Sequence, residues 1–314
     1  MRKIMMAALA LVFLCGALAC KGSNVQIRMA TGGTTGTYFT FGTAVGKILS
    51  ENTGIPISVQ STGASKANIQ LIGAREVEIA IVQNDAMDCA WYGVDLFSGQ
   101  KMTGFSCMAA LYDEACQIVV NRASGINSIA DLKGKNISVG DVGSSIEYNA
   151  RHILETYGIA FNQIGKHNLG FGASTDALRS NTIDAFFCIA GAPTPAIMNL
   201  AEGGDIVILE IDDEHANLLI NKHPFYTKHL IPAGSYQGQN NTIQTIAVRA
   251  AFIVSSQLSG DLVYELTKSL FESKAQIEAA HIKGKGLSPS FAIKGISVPF
   301  HPGALRYFRE IGIL

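Results

Sequence analysis

A chain of 314 residues, 48% hydrophobic and 16% charged with no low-complexity tract, can bury a core and is longer than one small domain needs. Lys and Arg total 24 against 25 Asp and Glu, a formal charge of −1 that drops to −3 once Arg2 and Lys3 are set aside as part of an export signal. This balance argues against a nucleic-acid partner, and the one basic cluster, "HIKGKGL" near residue 285, reads as a solvated loop.

Arg2 and Lys3 precede a stretch of uncharged, mostly apolar residues from Ile4 to Ala19 that ends in "ALAC", so residues 1–19 read as a secretory signal. The stretch is shorter than the ~20 apolar residues of a transmembrane helix. Ala17-x-Ala19 fits an ordinary cleavage site. A small residue followed by Cys20 resembles a bacterial lipoprotein signal, in which Cys20 carries the lipid and "KGSN" is a short tether. Either way the expected location is the periplasm or the outer face of the cytoplasmic membrane.

From Val25, "VQIRMA" reads as a strand, "TGGTTGTY" as a loop, and "FTFGTAVGKILSE" as a helix with Phe41, Val45, Ile48 and Leu49 on one face. The plan recurs as strand "ISVQ", loop "STGAS" and a helix carrying Ile69, Leu71 and Ile72. "VEIAIVQND" supplies a third strand, with Asp85 placed to cap the next helix. From about Cys116 a new unit begins, and "NISVGDVGSSIEYNARHILETYG" repeats strand, loop and helix. Strands in "IDAFFCIAG" and "DIVILEI" follow, then an irregular stretch from Asp212 to Asn241. The apolar run 242–256 is long enough to cross between two bodies, and a helix capped by Asp261 comes after it. Alternating strands and helices imply an α/β fold with two mostly parallel sheets flanked by helices. Lobe I is expected to be 20–117 plus 246–314 and lobe II 118–245, joined by a hinge with two or more crossings and leaving a cleft.

Cys89, Cys107, Cys116 and Cys188 are even in number, so disulfides are possible in an oxidising compartment, and a Cys107–Cys116 pair would need a turn between them. Cys188, inside "DAFFCIAG", reads as a buried thiol. No G-x-S-x-G, G-x-x-x-x-G-K-[ST], G-x-G-x-x-G or H-E-x-x-H occurs, which leaves an enzyme with little support. No cofactor or metal is expected.

In open α/β sheets a ligand sits beyond the carboxyl ends of the strands, where "TGGTTGTY", "STGAS", "QND" and "DVGSS" gather. Glycine admits close approach to backbone amides, and amides at helix N-termini favour a negative group. At these residues the chain resembles the TAXI family of extracytoplasmic solute-binding proteins that serve TRAP-type transporters. The resemblance rests on "MATGGTTGTYFTFGTAVGKIL", "VEIAIVQND", "IADLKGKNISVGDVGSSIEYNAR", "IDAFFCIAGAPTPAI" and "FHPGALRYFRE". It implies the periplasmic-binding-protein type of fold, a glutamate- or glutamine-like amino acid or other small carboxylate as ligand, and membrane permease subunits as partners of a monomer.

Carried onto this sequence, the resemblance points to Thr31, Gly33, Thr34 and Tyr38, to Ser61 and Thr62, to Gln83 and Asp85, and to Ser144 and Ser145, with Ala192 to Thr194 as cleft wall. By their chemistry, amides and hydroxyls at Thr34, Gly36, Ser144 and Ser145 suit a carboxylate, and Gln83 and Asp85 suit an amino group. Tyr38 suits the ligand's carbon chain. Tyr236 lines the cleft or packs against the hinge, and Glu147 and Arg151, four apart, suit an ion pair. A ligand sensor for a signalling partner and an enzyme on the same fold are the competing functions.

Overall fold

The computed structural model describes residues 26–203 and 206–314. The expected signal and Cys20 lie outside the described residues. In the first half, strands β1 (Ile27–Ala30), β2 (Ile57–Gln60) and β3 (Ile79–Gln83) alternate with helices α1 (Thr37–Thr53), α2 (Ser65–Gly73) and α3 (Asn84–Tyr92). The long strand β4 (Phe105–Asn121) leads to β5 (Asn136–Ser138), α4 (Ile146–Thr156), β6 (Gly165–His167), α5 (Phe171–Arg179), β7 (Ala185–Ala190) and α6 (Pro195–Ala201). Then come β8 (Ile206–Leu209), α7 (Asp213–Lys222), β9 (Thr227–Ile231) and the second long strand, β10 (Ile243–Ser255). The chain closes with α8 (Gly260–Glu272), α9 (Lys274–Ala280), α10 (Pro289–Ala292) and α11 (Pro302–Glu310).

The fold is α/β and two-lobed. The two parallel sets, β2-β1-β3 and β7-β5-β6, are joined through antiparallel β4 and β10 into one hydrogen-bonded sheet in the order β2-β1-β3-β10-β4-β7-β5-β6. The two expected sheets are therefore halves of a single sheet, because β4 and β10 are each long enough to serve both. Their pairing is bulged between Ala250 and Ala251 and again between Phe252 and Ile253, irregularities that bend a strand and re-aim its side chains.

Burial divides along the same line. Leu111 and Tyr112 of β4 pack with α1, α8 and α11, whereas Cys116 and Ile118 pack with α4 and α7. On β10, Ile246 and Val248 belong to the second core and Phe252 to the first. Each lobe thus buries its own apolar residues, and the chain between them passes through Asp113 and Glu114 on one strand and Arg249 on the other. Asp113 and Arg249 pair at 3.3 Å.

Several local expectations change. Strand β4 begins at Phe105, not near Cys116, so Cys107 and Cys116 stand on one continuous strand with no turn between them, and the four described cysteines are buried free thiols. Ser259, not Asp261, caps α8: its Oγ accepts from Leu262 N–H at 3.2 Å, while Asp261 pairs with Arg306 at 2.7 Å. Lys283 is not part of a solvated loop. It points inward, donates to the Ala192 carbonyl, and lies 5.7 Å from the Tyr112 ring centre.

Candidate functional site

The strand-to-helix loops of both lobes meet at the carboxyl ends of the parallel strands. Gly36, Ala64, Gln83 and Ser145 are the residues preceding α1, α2, α3 and α4, and none of the four helices has a side-chain cap hydrogen bond. Part of the first turns is already partnered, with Ile146 N–H donating to Ser144 Oγ at 3.3 Å, Ala67 N–H to the Gly143 carbonyl at 3.0 Å and Ala86 N–H to Asp85 Oδ1 at 2.8 Å, while the helix dipoles add positive potential at the same point. A cavity of about 50 Å³ lies among these four ends, bounded by Gly33, Gly36, Tyr38, Ser65, Ser144 and Phe171, with Gln83, Glu114, Ser145 and Ile189 completing the wall. A water needs only about 10–15 Å³ by this measure, so the space takes several waters or one small metabolite.

The lobes touch around it. Ala67 N–H donates to the Gly143 carbonyl at 3.0 Å, Thr37 Oγ1 to the Gly191 carbonyl at 2.9 Å, and Asn149 Nδ2 to Asp85 Oδ2 at 2.6 Å. Ser145 Oγ donates to Gln83 Oε1 across the same gap. Gly63 faces Val142 so closely that a Cβ would stand 2.9 Å from the Val142 carbonyl oxygen. Gly63→Ala should therefore hinder closure alone, since backbone cannot yield without the lobes parting. The expected cost of about 1–3 kcal/mol corresponds to ligand affinity lowered roughly 5- to 150-fold. Titration calorimetry checks this, and unchanged affinity would remove the close approach as a requirement for binding.

Of the residues singled out in the sequence, Gly33, Gly36, Tyr38, Gln83, Ser144 and Ser145 border the cavity. The others lie elsewhere. Thr31 is fully buried, with Oγ1 on the Gln60 carbonyl at 2.7 Å; Thr62 Oγ1 donates to the Thr31 carbonyl at 2.9 Å; Thr34 and Ser61 are exposed. Asp85 does not line the cavity: its Oδ1 accepts from Ala86 N–H at 2.8 Å and its Oδ2 from Asn149. Ala192 precedes a cis Ala192–Pro193 peptide, and its carbonyl accepts from Lys283. Thr194 accepts from Gln117 Nε2 at 3.0 Å, and Tyr236 OH accepts from Thr194 N–H at 2.8 Å, so both are buried and committed to internal bonds, Tyr236 among residues of β7, β8 and α6. Glu147 lies 3.9 Å from Arg151 but holds Lys166 more closely, at 3.1 Å.

Glu114 is the residue that sequence reasoning passed over. It is 0% exposed, and neither carboxyl oxygen has a hydrogen-bond partner. The Tyr38 and Tyr112 hydroxyls, close by, are also unpartnered. Burial pushes the Glu114 carboxyl up to about 8, with Gln83 and Tyr38 opposing the rise and Asp85 adding to it. Burial likewise raises Asp85 to about 6 against the Asn149 amide, and lowers Lys283 to about 8 against the pull of Glu114 and Asp113. The visible signal was "YDEAC", a charged pair inside a 17-residue strand otherwise almost wholly apolar.

Residues 29–312 match the NMT1-like family. The chain belongs to that family. Its fold is shared with PhnD1 from Prochlorococcus marinus in complex with methylphosphonate, with a TM-score of 0.59 at 10% identity over 93% of this chain and 100% of that one. The substrate-binding protein of an amino acid ABC transporter matches with a TM-score of 0.53 at 16% identity, over 84% and 100%. The alkanesulfonate-binding protein SsuA from Xanthomonas axonopodis pv. citri, bound to MOPS, matches with a TM-score of 0.51 at 15% identity, over 90% and 83%. These likenesses establish a two-lobed binding-protein fold for this member of the NMT1-like family. Among its described residues no helix is long and apolar enough to cross a membrane.

Proposed function

We propose that this protein is an extracytoplasmic solute-binding protein that captures a small carboxylate or amino acid, glutamate- or glutamine-like in size, by closing its two lobes on it. The observation that carries this reading is the meeting of four helix N-termini without side-chain caps, from two separately cored lobes, around one small cavity. Converging helix dipoles and the remaining first-turn N–H groups suit a carboxylate, and the bonds between the lobes form only when the gap is shut. A ligand that touches both lobes therefore favours the closed form by differential contact. Asp113 and Glu114 on β4 and Arg249 on β10 mark the hinge in this reading, with 20–117 plus 246–314 as one lobe and 118–245 as the other.

Delivery to a TRAP-type permease is proposed from the TAXI resemblance of the glycine and serine loops. An ABC importer is the second reading, because one protein of similar fold is the substrate-binding protein of an amino acid ABC transporter. Export through the signal at 1–19, with Cys20 as the lipid site, belongs to the same proposal. The wall is built of amides, hydroxyls and one buried carboxyl, a set suited to binding and not to turnover.

A thermal-shift panel of amino acids and dicarboxylates on the purified protein identifies the class, since a ligand at a hundred times its Kd stabilises by about 2.7 kcal/mol. Replacing Ser144 and Ser145 together by alanine should then lower affinity for the best member at least about tenfold, each lost bond to a charged group being worth about 1.5–3 kcal/mol. The melting temperature of the ligand-free variant should stay near that of the parent. A silent panel at millimolar concentration contradicts the proposal, and an unaltered affinity in the double variant contradicts the site.

A further inference from the structure

The cavity fits a carboxylate or an amino acid, and Glu114 separates the two. We infer that Glu114 is the seat of a ligand ammonium group, so that the ligand is an amino-bearing carboxylate held with its cation toward β4 and its carboxylate toward the helix N-termini. This rests on the solute-binding reading and narrows it.

Three features of the structure converge. Glu114 lines the cavity, and both its carboxyl oxygens are fully buried without a hydrogen-bond partner. A buried acceptor left unpaired is costly, and an ammonium carries three N–H donors, enough for a carboxylate and a neighbouring hydroxyl together. The Tyr38 and Tyr112 hydroxyls beside it are likewise unpartnered. The nearest cation of the chain itself, Lys283, is committed elsewhere: its ammonium donates to the Ala192 carbonyl, and no ion pair joins it to Glu114 among the described residues. Asp85, the other buried carboxyl of the region, is held by Asn149 and Ala86. The starts of α1 and α4, with Gly36, Thr37, Ser144 and Ser145, line the same cavity and bring their helix dipoles to it. A carboxyl and helix N-termini in one cavity match a zwitterion. A dicarboxylate's second carboxylate could be held at Glu114 only by the protonated carboxyl, whereas an ammonium pairs with the ionised form, so the two ligand classes demand opposite protonation states of this residue.

The groups facing Glu114 are Tyr38 from α1, Gln83 from β3, Asp85 from α3, Tyr112 from its own strand and Lys283 from the turn after α9. With no ammonium present the carboxyl keeps its proton up to about pH 8. Near neutral pH, binding of a ligand ammonium then releases that proton to solvent, and the ligand keeps its own three.

The test pairs each amino acid with the acid that lacks its amino group: glutamate with glutarate, and alanine with propionate. Calorimetry is run at pH 7 in buffers of different ionisation heat, on the parent and on Glu114→Gln. The expected results are at least about 100-fold tighter binding of an amino acid than of its partner acid, and close to one proton released per ligand. In Glu114→Gln the preference should collapse to below tenfold and the proton release should vanish. Equal binding of glutamate and glutarate, or of alanine and propionate, overturns the assignment while leaving the solute-binding reading intact, as does undiminished preference in folded Glu114→Gln. Binding of neither member of either pair, with no other amino acid shifting the melting temperature, overturns the solute-binding reading and this assignment with it.

Discussion

Asn149→Ala should weaken ligand capture by roughly 10- to 150-fold while lowering the melting temperature of the ligand-free protein by only a few degrees. Asn149 lies on α4 in the second lobe and its amide donates at 2.6 Å to Asp85 of the first. Asp85 is fully buried in the closed form, where burial lifts its carboxyl to about 6. At pH 7 the group is therefore charged, and without Asn149 its Oδ2 loses its donor. Bonds to charged groups are worth about 1.5–3 kcal/mol, and this one is made only on closure, so its loss appears in affinity and not in the stability of separated lobes. The same amide also donates to Tyr226 OH at 2.9 Å within the second lobe, which accounts for the few degrees. The sign with pH is fixed by the raised carboxyl. As pH falls below 6, Asp85 closes in its protonated form, which needs the amide less, so the deficit of the variant should shrink. Calorimetry at pH 5 and pH 8 reads both effects. A deficit that is constant with pH would show that Asn149 acts through packing and not through the buried charge.

Glu114→Gln should stabilise the ligand-free protein increasingly as pH rises from about 4.5 to about 8, and then no further. The folded carboxyl titrates at about 8 against an ordinary value of 4.5. Across that window the native chain holds a proton that the unfolded chain has lost, so the stability of the parent declines with pH, whereas glutamine carries no such dependence. At about 1.36 kcal/mol per unit the ceiling is about 5 kcal/mol, reduced to the extent that parted lobes admit water to the carboxylate. Melting curves at pH 5, 7 and 9 should show parent and variant drawing apart by several degrees. Parallel curves would mean that Glu114 is solvated in the ligand-free protein, and that its burial belongs to the closed form alone.

The two predictions use one residue that was legible in the sequence and one that was not. Asp85 stood at the end of an apolar strand, just inside a helix, a position where a carboxylate has an evident local use. In the structure it follows Gln83, which precedes α3, and its second oxygen reaches the other lobe. Sequence patterning captured the strand, loop and helix repeats because small-residue loops punctuate changes of hydrophobic period, and that punctuation marks where ligands approach backbone. It located Gly33, Gly36, Tyr38, Ser144 and Ser145 on the cavity for the same reason.

What it missed depends on contacts between segments far apart in the chain. Glu114 lies on β4, and its isolation arises from Tyr38 on α1, Gln83 on β3 and Tyr112. Phe171, from the start of α5, closes the cavity opposite Gly36, where a Cβ on the glycine would stand 3.4 Å from the ring. No local period announces either residue. The same applies to Lys283, read as solvated because its neighbours are Gly and Lys, yet aimed at the Ala192 carbonyl. Thr31, Thr62 and Thr194 show the converse. Their hydroxyls resembled ligand donors in a loop motif, but each is bonded to backbone or to Gln117, fixing the loops and not facing the cavity.

The central claim, that a small metabolite is trapped where the two lobes meet, is tested most directly by a crystal structure of the protein grown with the amino acid that most raises its melting temperature. The account predicts ligand density between Tyr38, Gln83, Glu114 and the Ser144–Ser145 turn, its amino group on Glu114 and both lobes in contact with it. Density on an outer surface, or a bound ligand that touches one lobe only, would contradict it.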